Sequence, residues 1–216
     1  AYTWSHSIDN IPEQFGSGGG GLMDFRNIRV NRANSNFDVR HRFIASGVWD
    51  VPFKMRNKIA NSLIGGWQLS GMLSLQTGSY FTITVPNARQ RLGATGIGDW
   101  WPDRLRDARI SNPTTDRWFD TTAFASPRNA DGTWRLGNAG RAILASDFPF
   151  NLDAGMLKNF ALTERFNLQF RWEVFNVSNT PTLAAPIANI ENPDFGKVRS
   201  TYSTPRQMQF ALRLSF

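Results

Sequence analysis

The chain has 216 residues, 41% of them hydrophobic, with 17 Phe and 8 Trp, a composition that fits one large β domain or two small ones and excludes a disordered chain. No run reaches the roughly 18 consecutive apolar residues of a membrane helix, and the lack of Cys removes disulfide, thiolate and Cys-based metal chemistry. The net charge of +7 is spread out, with Arg40, Arg42, Arg171 and Arg213 inside alternating segments, so no basic block of the nucleic-acid-binding kind is present.

The N-terminal AYTWSHSIDN shows no basic region followed by an apolar run, so a signal peptide is expected to have been removed or the chain to be a fragment. Tyr2, Trp4, His6 and Ile8 then recur with a period of two and predict a first strand, followed by a long Gly-rich connection over 9–36. In HRFIASGVWDVPF the apolar set is His41, Phe43, Ala45, Trp49, Val51 and Phe53, and a shorter turn over 54–65 follows. GWQLSGMLSLQTG alternates through Trp67, Leu69, Leu73 and Leu75, and the longest connection spans 84–147. Phe150, Leu152, Ala154 and Met156 mark a fourth strand, which turns tightly around Thr163 and Glu164 into Phe166, Leu168, Phe170, Trp172 and Val174. A loop over 178–205 precedes the last strand, where Met208, Phe210, Leu212, Leu214 and Phe216 alternate with polar or small residues. The fold class read from this is all-β: an antiparallel up-and-down meander of about six strands in a single unit over 1–216.

The connections run long, short, long, short, long. Long structureless stretches are unusual in a compact soluble domain, whereas membrane β-barrels pair short periplasmic turns with long extracellular loops. A soluble β-sandwich also alternates, but its strands are typically about 5–6 residues long, and these alternations persist for the roughly 9–11 residues of a tilted membrane strand. The meander is therefore expected to be part of a transmembrane barrel facing outer-membrane lipid. With short turns on the periplasmic side, Phe216 sits at the periplasmic rim beside a girdle of Trp49, Phe53, Trp67, Phe160 and Phe166. Arg42, Gln68, Gln76, Asn167, Gln169, Arg171, Glu173 and Arg213 fall in the opposite phase and are expected to face a lumen. Lys158 alone is a charge in the apolar phase, at a strand end where snorkelling is cheap.

FDVRHRFIASGVWDVPF (37–53), RLGNAGR (135–141), NLDAGMLKNFALTERFNLQFRWEVFNVSNTP (151–181) and FGKVRSTYSTPRQMQFALRLSF (195–216) resemble, in order and spacing, the C-terminal part of TonB-dependent outer-membrane receptors. The branch most similar is the Oar-like one, which carries an N-terminal carboxypeptidase-regulatory-like domain. The resemblance covers nearly the whole chain and is weakest over 84–134. It implies a barrel of about 22 strands around an N-terminal plug, located in the outer membrane of a Gram-negative bacterium. Its function would be uptake of a scarce oligosaccharide, peptide or metal chelate, powered through TonB. It also implies that Phe216 is the signal read by the barrel-assembly machinery. The plug and TonB contact are missing from these residues, so the chain is expected to act with the rest of the barrel.

The longest loop holds Trp100, Trp101, Trp118 and Trp134 among Arg104, Arg106, Arg109 and Arg117. Aromatics interleaved with guanidinium groups can stack on sugars or bind peptides and anions, making Trp100, Trp101, Arg104, Arg106, Trp118 and Trp134 candidate ligand residues. The same rings could instead form a small core of the loop itself. GSGGGG (16–21) and GATGIG (93–98) lack the Lys and strand-helix context of phosphate loops. With only two His no His-based metal cluster is expected, Asp131-Gly132 reads as a turn, and Asp9, Glu13 and Asp24 could share a cation without a spacing that demands it. Neither metal nor cofactor is expected. Two other functions compete with uptake: a β-rich surface protein binding glycan or peptide through the aromatic loop, and a surface esterase using His41 with Thr77 or Ser79. An acidic or amide group to orient His41 is not evident, and the chain is read as non-enzymatic.

Overall fold

The computed structural model describes residues 1–10, 27–93 and 100–216. Among them six antiparallel strands form one sheet in chain order. They are β1 (Tyr2–Trp4), β2 (His41–Asp50), β3 (Trp67–Gln76), β4 (Phe150–Ala161), β5 (Asn167–Phe175) and β6 (Gln207–Ser215). The meander expected from the alternation is what the chain forms, and its five long strands have 9 to 12 residues, the span of a membrane strand. β1 and β6 are the two edges, so the sheet is open rather than closed on itself.

Register aligns the apolar phases into rows. Trp49, Leu69, Met156, Trp172 and Phe210 are successive neighbours across five strands, and Ala45, Leu73 and Leu152 form another row nearer the long loops. Rows of the other phase include Asp50, Gln68, Leu157, Arg171 and Ala211. Slipping one strand by one residue would turn its whole apolar set to the wrong face, so register and sidedness are fixed together. The polar face satisfies itself by cross-strand bonds: Gln68 Nε2 donates to Asp50 Oδ1 at 2.8 Å, Gln169 Nε2 to Asn159 Oδ1 at 3.0 Å, and Gln209 to Glu173. The apolar face has no such cover. Trp49, Phe210 and Leu212 are 56%, 68% and 70% exposed, far beyond what a water-facing sheet tolerates as a continuous patch.

At the short-turn end, the expected turn over 54–65 contains a helix, α1 (Lys58–Ile64). Asn57 starts it by accepting from the Ile59 and Ala60 amides at 2.9 and 3.3 Å, and the Gly65 amide closes it on the Asn61 carbonyl. Trp67 Nε1 donates back to Leu63 O at 3.0 Å. Lys158 does not snorkel to water as its position suggested. Its side chain is 2% exposed, its ammonium donates to the Gly65 carbonyl, and it lies 5.2 and 5.0 Å from the Trp67 and Phe160 ring centroids. The α1 turn thus brings a carbonyl to the charge, and two aromatic faces complete its surroundings.

At the opposite end the long connections fold together into a cap. Its core is Ile83, Val85, Ala88, Trp100, Trp101, Ala108, Phe119, Ala123, Phe124, Ala139 and Leu144. Short ribbons stitch it: Tyr80–Phe81 pairs with Leu144–Ala145, and Asp103–Arg104 with Phe124–Ala125. The 178–205 connection joins through Phe195, whose ring centroid lies 5.2 Å from that of Phe119, and through Gly196 O, which accepts from the Trp118 amide at 2.9 Å. Asn176, in the left-handed region at φ 53°, anchors the exit from β5. Its side chain donates to the Thr180 and Thr204 carbonyls and accepts from the Thr180 amide.

Gly137 shows how tightly the cap is laid. A Cβ there would fall 2.3 Å from the Trp101 carbonyl oxygen and 2.4 Å from that of Pro102. Gly137→Ala is expected to destabilise the cap by about 1–3 kcal/mol through this backbone clash, seen as faster proteolysis within 77–149 with an unchanged β spectrum.

Candidate functional site

Two surfaces carry the functional candidates: the polar face of the sheet and the cap above it. Arg42, Gln68, Gln76, Arg171, Glu173 and Arg213 all lie on the polar face, opposite the exposed apolar one. Arg42 sits between Thr3 and Gln76, Gln169 pairs with Arg213, and Glu173 lies between Gly155 and Gln209. The charges of β2, β5 and β6 are thus kept off the apolar surface, as the cost of about 2–4 kcal/mol per basic group facing lipid at the midplane requires. Phe216 follows β6 at the short-turn end, almost fully exposed, with its ring centroid 6.3 Å from that of Phe166. Trp49, Trp67 and Phe160 share that end, while Tyr2, Trp4, Phe43 and Phe150 mark the loop end of the same face.

The cap uses the candidate aromatics differently from an open stacking platform. Trp100 and Trp101 are 8% and 7% exposed in its core. Their faces are covered by protein because this irregular segment must bury apolar rings to be ordered at all. Trp118 packs on the same core and donates Nε1 to Ala145 O at 3.0 Å. Trp134 is held between two guanidinium groups, 4.5 Å from Arg91 and 4.1 Å from Arg128. Arg104 bonds to Arg106 O and Asp107, and Arg106 to Asp120 and Thr122. The structure therefore brings Arg104 and Arg106 together along one ribbon but places Trp100 and Trp101 in the packing beneath.

The ion pairs polarise the cap carboxylates. Asp120 is held below the usual carboxylate range by the Thr122 hydroxyl first and Arg106 second, Glu191 by its bidentate Arg91, and Asp194 by Arg199 and then Lys197. The lowered values favour the charged, paired forms; of these pairs, Arg91–Glu191 joins the two long loops, while those of Asp120 and Asp194 each lie within one loop.

His41 stands in the apolar phase at the loop end of β2, as expected. Its Nδ1 meets the Tyr2 hydroxyl at 2.8 Å, and the two rings stack. The Thr77 hydroxyl accepts from the His41 backbone amide at 3.2 Å, and Ser79 pairs with the Ser146 hydroxyl at 3.3 Å. The ring is thus joined to a phenol and not to either proposed nucleophile. Asp9 bonds Arg141, and Glu13 and Asp24 lie outside the described residues, among which no group of three metal-ligating side chains assembles.

Two residues of structural weight were not singled out from the sequence. Asp38, fully buried, accepts from the Ser7 amide at 2.9 Å and from Arg40 at 3.1 Å, fixing the entry to β2. Arg141, buried beneath the cap, donates to the carbonyls of Asn31 and Asp9. An acid three residues before a strand and an Arg in a Gly-rich RLGNAGR run were the available signals.

A one-sided sheet of membrane-length strands, apolar and aromatic on the exposed face, polar on the other and capped by long loops, defines an outer-membrane β-barrel protein. The family model described as an outer membrane beta barrel domain matches residues 1–209, and the chain belongs to that family. It resides in the outer membrane of a Gram-negative bacterium. None of the curated proteins or solved structures compared with the chain matches it.

Proposed function

We propose that the chain is a sector of a TonB-dependent outer-membrane receptor that takes up a scarce oligosaccharide, peptide or metal chelate. The observation that carries this is the open six-stranded sheet, whose two free edges require further strands in lipid because every backbone group there must be paired. The family-like order of DVRH, RLGNAGR and the closing QMQFALRLSF supports the same reading. In it, the polar face with Arg42, Gln68, Gln76, Arg171, Glu173 and Arg213 lines a lumen occupied by a plug. The cap faces outward over the entrance, and TonB engages a segment outside these residues. Phe216 serves the barrel-assembly machinery. Catalysis has no part in the proposal, consistent with a His41 ring bonded to Tyr2.

The test is uptake in cells expressing the complete reading frame. Accumulation of a ligand from one of the three classes is expected to stop when TonB is deleted and to persist when the inner-membrane transporters alone are impaired. Uptake unaffected by loss of TonB would replace the receptor with a passive barrel or a surface binding protein.

A further inference from the structure

The cap holds a cavity of about 460 Å³ whose polar lining is strongly one-signed. Arg32, Arg104, Arg109 and Arg141 border it, with His6 and Asn34. Its volume is in the range of small-molecule sites. Two carboxylates answer the four guanidinium groups: Asp9 bonds Arg141, and Asp107 pairs with Arg104 at 3.1 Å and Arg109 at 3.6 Å. Arg32 has no ion pair among the described residues.

Arg141 provides the second, independent observation. It is 4% exposed and fixed by three acceptor contacts through Nε and Nη2, to the Asn31 carbonyl, the Asp9 carbonyl and the Asp9 carboxylate. Its Nη1 is buried and has no hydrogen-bond partner among the described residues. A buried donor on a cation left without an acceptor is costly, and here it belongs to a residue lining the cavity. Asn34 adds a polar floor: its Oδ1 meets His6 Nε2 at 3.1 Å and its Nδ2 reaches Ala142 O at 3.4 Å.

We propose that this cavity is an anion site that takes a phosphoryl group. Planar guanidinium forks match phosphoryl oxygens in paired hydrogen bonds, and the surplus of cations over carboxylates favours a doubly charged group over a single carboxylate. Arg141 is the buried, fixed donor, and Arg32 and Arg109 are exposed donors at the rim. The site requires neither TonB nor transport, so it stands apart from the proposed uptake.

Isothermal titration of the detergent-purified protein with inorganic phosphate, at low salt, tests it. Saturable binding is expected, weakened tenfold or more by Arg32→Gln and by Arg109→Gln, and weakened by added salt. Both side chains lie at the exposed rim, so the variants keep the fold, which circular dichroism checks. Glycerol 3-phosphate and micelles doped with phosphatidic acid then identify the source: preference for the first assigns a soluble phosphate ester, preference for the second a lipid headgroup, and either supports a phosphoryl site. Absence of phosphate binding, affinity in the Gln variants unchanged from that of the parent, or equal competition by acetate would overturn the proposal.

Discussion

Replacing Leu73 by Arg is expected to cost the protein about 2–4 kcal/mol of stability in a bilayer, whereas Ser74→Arg, one residue on, is expected to cost little. Leu73 lies in the middle of the apolar rows, flanked by Ala45 and Leu152. A guanidinium there meets acyl chains near the midplane, and the only relief is to bend toward a headgroup layer several residues away. Ser74 points to the opposite face, between Ile44 and Asn151, where Arg42 and Gln76 already lie nearby. Reversible urea unfolding from lipid vesicles measures both. The difference between the pair matters more than either value, since adjacent residues share backbone, depth and strand. Equal costs would mean that the two faces see the same solvent, and a larger cost for Ser74→Arg would turn the sheet inside out.

The same contrast explains what the sequence could and could not disclose. A strand records its environment at every second residue, so Phe166 to Val174 and Met208 to Phe216 display their sidedness without any knowledge of their partners. The cap records nothing periodic. Phe119 meets Phe195 from another connection, and Val85 meets Trp100 across a single bridge; such contacts leave no spacing to read. Trp100 and Trp101 could be recognised as members of an aromatic loop, but whether their rings faced a ligand or each other's neighbours depended on chain paths that only the fold defines. The helix α1 had both of its signals, Asn57 before it and Gly65 after it, yet seven residues are too few for a helical period to stand out against a turn. Lys158 was legible as an exception, while the carbonyl that receives it comes from Gly65, which is distant in the chain and adjacent only through β3–β4 pairing.

Phe119→Ala is expected to have the largest effect on the cap while leaving the sheet in place. Phe119 is buried at the centre of an aromatic cluster, with ring centroids 6.0, 5.9 and 5.2 Å from those of Phe81, Phe124 and Phe195. Those rings come from the start, middle and end of the loop system, so one side chain holds three segments that no regular element joins. Truncating a buried Phe typically costs about 3–5 kcal/mol, and the cap has few long ladders to absorb that loss. The strands depend instead on continuous pairing and on lipid. The expected result is rapid proteolytic cleavage within 77–149 and 176–206, with loss of phosphate binding at the cavity lined by Arg141, while the β spectrum and heat-resistant migration in detergent persist. Simultaneous loss of sheet and cap would show that the cap is a structural prerequisite for the barrel sector. A variant that resists protease as the parent does would show that the ion pairs between the loops, Arg91–Glu191 and Arg199–Asp116, rather than the aromatic cluster, hold them together.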